Sequence, residues 1–270
     1  MASRPSRNLP MGMMLRKLGR TGLELSPIGL GTVKIGRNTD LKYPSGFELP
    51  TDQEVIELLE LASNLGINCL DTAPAYGKAE KRLGELLPEV PNKFHIITKV
   101  GEAYDQETGS HYDFSEKAIM NSVERSLRYL NRNRLDVVLL HSDGQDIKHL
   151  ELGALRTLVK AREQGLIHAV GLSGKTVEGG RLALNQGADC LMITLNPKQP
   201  DEKPLIDEAE RNGAGLLVKK ALGSGHLTGS ISSIFKYLFA HPSITSAIIG
   251  TLSTSHLRDN CLALPTEIRS

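Results

Sequence analysis

A chain of 270 residues with 40% apolar residues can bury one large core. Thirty-two basic residues against 31 acidic ones, interleaved to a formal charge of +1, point away from nucleic acid and membrane surfaces and toward small-molecule partners. Three widely spaced cysteines (Cys69, Cys190, Cys261) argue against disulfides and a Cys-ligated zinc, and the eight histidines show no metal-binding spacing.

Residues 1–14 begin M-A-S-R-P-S-R and lack the apolar core of a secretory signal, so a loose tail on a cytoplasmic protein is expected. Next, L-R-K-L-G-R-T-G-L-E-L-S predicts a short hairpin around residues 19–22. Apolar runs follow at 28–33, 68–73, 94–100, 135–141, 168–173, 190–195, 215–221 and 244–250, which makes eight strands. Between them, Thr51-x-x-Glu54 is a capping-box pattern opening a helix with Val55, Leu58, Leu59, Ala62 and Leu65 on one face. Residues 102–114 read as an extended loop that either lines a pocket through Tyr104, Tyr112 and Phe114 or lies on the surface. After it, Ser115 can cap a helix carrying Ile119, Val123, Leu127 and Leu130. Gly66, Gly165, Gly187 and Gly213 each stand between a helical segment and a buried run, as at the αβ junctions of a parallel sheet. Eight strands alternating with helices fit one (β/α)8 TIM barrel domain over 15–270, its lower end plugged by the N-terminal β-hairpin; a doubly wound sheet is the alternative.

Two nucleotide motifs come close and fail. Gly29, Gly31 and Gly36 have the wrong spacing for a dinucleotide fingerprint, and no helix pattern starts there. The stretch A-V-G-L-S-G-K-T at 169–176 places Gly-Lys-Thr between a strand and a helix, but Ala169 stands where a phosphate-binding loop needs its first glycine.

A barrel places its chemistry where strands end, and there the sequence sets Asp71 and Tyr76 after the second strand, Lys99 on the third and His141 on the fourth. Taken singly, each has an ordinary reading: a structural Asp71–Lys99 ion pair, a loop tyrosine, a satisfied core histidine. Four titratable groups on three adjacent strand ends suit proton donation to an oxygen that becomes an alkoxide. A phenol with a pKa of about 10 donates poorly at neutral pH unless a nearby cation favours the phenolate. Lys99, held by Asp71, can be that cation, and His141 can orient a substrate carbonyl.

G-L-G-T at 29–32, D-T-A-P-A-Y-G at 71–77, T-K at 98–99 and L-L-H at 139–141 resemble, in order and strand placement, the motifs of the aldo-keto reductases. The resemblance spans residues 15–264. It implies NADPH-dependent reduction of an aldehyde or ketone, with Asp71, Tyr76, Lys99 and His141 as the catalytic tetrad and Tyr76 as general acid. It also implies contacts to the nicotinamide from Gly31, Thr32 and Ser173, to the pyrophosphate from Lys219, Lys220, Ala221, Leu222, Gly223 and Ser224, and to the adenosine end from Gly250, Thr251, Ser253, His256, Asp259 and Asn260.

Four positions depart from the family pattern: Gly174 replaces an Asn, Met192 a Gln, Lys219 the aromatic that stacks on the nicotinamide, and His256 an Arg at the 2′-phosphate. NADPH is therefore expected with NADH as the alternative, no metal, and a small-molecule carbonyl substrate in an open site where Val33 replaces a common pocket Trp. A monomer or weak homo-oligomer is expected. The competing reading is a non-catalytic nucleotide-binding sensor or subunit of the same fold.

Overall fold

The computed structural model describes residues 13–40, 46–223 and 230–269. In chain order these form β1 (Arg16–Lys17), β2 (Glu24–Leu25), β3 (Ile28–Gly31), α1 (Val33–Gly36), α2 (Asp52–Asn64), β4 (Cys69–Asp71), α3 (Ala79–Leu86) and β5 (His95–Val100). Then come β6 (Glu102–Asp105), β7 (Gly109–Tyr112), α4 (Glu116–Tyr129), β8 (Leu135–His141), α5 (Asp146–Glu151), α6 (Ala154–Glu163), β9 (Ile167–Ser173) and α7 (Val177–Asn185). The chain closes with β10 (Cys190–Thr194), α8 (Leu205–Asn212), β11 (Gly215–Lys219), α9 (Ile231–Phe239), β12 (Ile244–Ile249) and α10 (Thr254–Leu262).

Eight parallel strands close a barrel in the order β3, β4, β5, β8, β9, β10, β11, β12 and back to β3, as the spacing of apolar runs predicts. Both expected caps are present: Thr51 and Glu54 form a reciprocal capping box on α2, and Ser115 accepts the Ala118 N–H at the start of α4. Among the described residues, no helix is long and apolar enough to cross a membrane.

The two-residue period of the strands explains what fills the barrel. Cys69, Ile97, Val137, Leu139, Ala169, Cys190, Met192 and Leu217 form one interior cluster, while their sequence neighbours Leu70, Ile96, Val138 and Leu216 join the larger core under the helices. Leu18, Leu23 and Leu25 of the β1–β2 hairpin belong to the interior cluster, so the hairpin plugs the barrel as expected. Close contact between neighbouring strands has a local cause at Gly171, where a Cβ would lie 2.0 Å from the Cys190 carbonyl oxygen.

Two expectations fail at the edges. Met13 and Met14, assigned to the loose tail, are tied to the C-terminal segment: Met13 bridges Arg269, and the Met14 N–H donates to the Ile268 carbonyl. Residues 102–112 are a regular antiparallel hairpin pairing Glu102 with Tyr112 and Asp105 with Gly109. Its turn is held by the Asp105 carboxylate, which accepts the N–H groups of Glu107 and Thr108, and by left-handed Gly109. This hairpin is polar on both faces, so no apolar alternation signals it.

Candidate active site

On four of the barrel strands the next inward position, two residues past the interior cluster, carries chemistry in place of hydrocarbon. Cys69 leads to Asp71, Ile97 to Lys99, Leu139 to His141 and Leu217 to Lys219, and all four of these polar residues line one cleft of about 1010 Å³ at the C-terminal end of the barrel. Tyr76 reaches the same cleft from a single 3₁₀ turn, Pro74–Tyr76. Beyond it the chain turns sharply at left-handed Gly77, where a Cβ would stand 2.4 Å from the Gly36 carbonyl oxygen.

Lys99 is 1% exposed, and each of its three ammonium protons has an acceptor. Its Nζ lies 2.6 Å from Asp71 Oδ1, 2.9 Å from the Thr72 carbonyl oxygen and 3.0 Å from the Tyr76 hydroxyl. The phenolic O–H donates in turn to Asp71 Oδ2 at 3.3 Å. A cation donating to the phenolic oxygen stabilises negative charge there, so this arrangement prepares Tyr76 to release a proton.

His141 stands edge-on to Tyr76, with ring centroids 6.3 Å apart. Its Nδ1 is 2.8 Å from Glu102 Oε2, an approach too oblique for a linear hydrogen bond. Burial pushes the imidazole below its usual range, reinforced by the cations of Lys99 and Lys219 and opposed by Glu102. For Glu102, burial alone would raise the carboxyl, but His141 together with Ser110 and Tyr112 brings it down to about 2. The Ser110 hydroxyl donates to its other oxygen at 2.7 Å. Sequence reading missed Glu102; the available signal was a carboxylate three residues past Lys99, separated from the end of β5 only by Gly101.

Of the other residues expected in this region, Tyr112 lines the cleft, whereas Tyr104 packs under the Arg37 guanidinium and Phe114 stacks on His149. His149 is mostly covered and lies 3.0 Å from Asp143.

The cofactor positions divide. Gly31, Ser173, Lys219, Lys220, Ala221, Leu222, Gly250, Thr251, His256, Asp259 and Asn260 line the cleft. Thr32 is buried with its hydroxyl donating to the Asp71 carbonyl at 2.9 Å, and Ser253 caps α10 by accepting the His256 N–H. Gly223 is left-handed just after Leu222, and Ser224 lies outside the described residues. Lys219 donates to Ser173 Oγ at 3.0 Å and to the Gly174 carbonyl at 2.7 Å, and burial pushes its ammonium down to about 8. In G-L-S-G-K-T, the N–H groups of Lys175 and Thr176 both donate to Asp146 Oδ2, so they are already engaged by a carboxylate rather than open to a phosphate. The Thr176 hydroxyl then caps α7 by accepting the Gly179 N–H.

The pattern of the Aldo/keto reductase family matches residues 27–236. The chain belongs to the aldo/keto reductase family. A Pseudomonas aeruginosa protein bearing the same family name has a crystal structure that matches at 43% identity and a TM-score of 0.87, over 98% of this chain and all of that one. Pyridoxal 4-dehydrogenase of Microbacterium luteolum is 27% identical, over 83% of this chain and 75% of its own length. D-threo-aldose 1-dehydrogenase of a Pseudomonas species is also 27% identical, over 77% and 69%. These aldo/keto reductase relatives are oxidoreductases by name, and the family barrel is the fold described above.

Proposed function

We propose that this aldo/keto reductase reduces a small aldehyde or ketone to the alcohol with a hydride from NADPH, Tyr76 supplying the proton. The observation that carries the reading is the Lys99 ammonium, which donates to Asp71 and to the Tyr76 hydroxyl at once. A structural ion pair alone has no need of the phenol.

The donor set suits a dinucleotide. Lys219, Lys220 and Thr251 line the cleft from the ends of β11 and β12, and His256 and Asn260 from α10. In the barrel these strands stand opposite β5 and β8, which carry Lys99 and His141. Cationic and hydroxyl or amide donors there can bind a pyrophosphate and a ribose phosphate, while Asp259 can accept from ribose hydroxyls. When bound, the cofactor supplies hydride to the carbonyl carbon. The protein's own part is then threefold: the Tyr76 O–H turns from Asp71 to the carbonyl oxygen and gives up its proton, Lys99 stabilises the phenolate left behind, and His141 fixes the direction of the carbonyl. The names of the relatives, dehydrogenases of pyridoxal and of an aldose, support a small polar carbonyl–alcohol pair as substrate.

The test is NADPH oxidation with 4-nitrobenzaldehyde and a broader aldehyde panel, comparing the parent with Tyr76→Phe. Turnover by the parent that collapses in the variant is expected. NADPH binding without turnover on any aldehyde would favour the sensor or subunit reading, and full activity in Tyr76→Phe would remove Tyr76 from its role.

A further inference from the structure

Glu102 has no part in the chemistry described so far, yet its Oε2 stands 2.8 Å from His141 Nδ1. It arrives on β6, the first strand of the hairpin that follows β5, and its other oxygen is engaged by Ser110 on β7. An ionised carboxylate can only accept hydrogen bonds, so at 2.8 Å, even on an oblique approach, its charge favours a proton on Nδ1 over a bare lone pair. A neutral imidazole has a single N–H. With that proton on Nδ1, the remaining nitrogen, Nε2, is an acceptor and repels a carbonyl oxygen instead of holding it.

His141 can therefore donate to a substrate carbonyl only as the imidazolium. Charges from every side bear on that form: Glu102 on β6 favours it, while Lys99 on β5 and Lys219 on β11 oppose it together with burial. Asp71 is tied to Lys99, Tyr76 faces the imidazole with its ring near perpendicular, and Tyr112 on β7 interacts with Glu102.

We propose that Glu102 is a positioning residue that fixes the His141 proton on Nδ1, so that the donor facing the substrate exists only when the ring is doubly protonated. This rests on the reductase reading above. Carbonyl reduction then carries a His141 ionisation on its alkaline side, in addition to any ionisation of Tyr76. Replacing Glu102 by Gln removes the anion and offers an amide N–H to Nδ1. The neutral ring can then hold its proton on Nε2, and the donor persists without the second proton.

The experiment uses the full chain labelled with [15N]histidine. Two-bond 1H–15N spectra, with His141 assigned by the loss of its signal in His141→Ala, report the neutral tautomer without cofactor or turnover. The Nδ1–H form is expected in the parent and the Nε2–H form in Glu102→Gln, with a lower ring pKa in the variant. In kinetics, kcat/KM of the parent falls by about tenfold per pH unit above the His141 ionisation. Glu102→Gln loses that limb and keeps only the one due to Tyr76. An Nε2–H tautomer in the parent overturns the proposal, and so does a variant whose tautomer and pH profile match the parent. If neither protein turns over any aldehyde, the reductase reading fails, while the parent spectrum alone still decides the tautomer.

Discussion

Lys99 Nζ and Asp71 Oδ1 are 2.6 Å apart, and both side chains are almost wholly withdrawn from water. Two opposite charges in that setting stabilise one another mainly because each would be costly alone. Asp71→Asn is expected to destabilise the fold by about 3–5 kcal/mol, since it leaves a buried ammonium with a weak partner. Adding Lys99→Met should recover most of that loss in urea melts and none of the activity. A single variant as stable as the parent would mean that water reaches Lys99.

Tyr76→Phe removes one hydroxyl from a ring that keeps its packing. Loss of the proton donor is expected to lower kcat by about 10²–10⁴-fold, with NADPH affinity, measured by quenching of cofactor fluorescence, close to that of the parent. A variant that loses affinity and keeps kcat would place the hydroxyl in binding.

Lys219 sets a half-buried cation, tied to Ser173 and Gly174, where the family resemblance leads us to expect the nicotinamide. The oxidised nicotinamide ring is itself a cation and the reduced one is neutral, while the phosphates are common to both. The site is therefore expected to bind NADPH more tightly than NADP+, by at least roughly tenfold, the repulsion of two unit charges about 12 Å apart at an effective dielectric of about 20. Because burial lowers the ammonium to about 8, the charge is present below that pH and lost above it. The preference should fade as pH rises through 8, and Lys219→Met should show a smaller, pH-independent preference. The two dissociation constants measured at pH 6.5 and 9 decide it.

Leu18 is fully buried inside the barrel's lower end, on a hairpin remote from the rim chemistry. Leu18→Ala is expected to cost about 2–5 kcal/mol in stability through the cavity it leaves. Below the melting transition kcat/KM should stay within about twofold, so a large kinetic defect would show that the plug also positions the rim.

How far the sequence reaches can be judged residue by residue. Asp71, Lys99 and His141 are legible because strand periodicity is local: an inward Cys69, Ile97 or Leu139 dictates that the side chain two positions later is also inward, one layer higher. The helix caps at Thr51 and Ser115 and the plugging hairpin are legible for the same reason, since their signals lie within a few residues. Glu102 is different. Its partner is 39 positions away on β8, and nothing in a polar stretch says which carboxylate folds back over which histidine.

Local sequence signals were enough to give the eight barrel strands, the barrel and the four polar groups on three adjacent strand ends, because apolar periodicity and short-range capping are properties of neighbouring residues. It takes the folded molecule to show that Lys99 meets Asp71, Thr72 and Tyr76 at once, that Lys219 is held by Ser173 and Gly174, and that Glu102 closes on His141. Those contacts depend on barrel closure, which brings distant segments within hydrogen-bonding distance, and burial there makes the charge of each group depend on its partners.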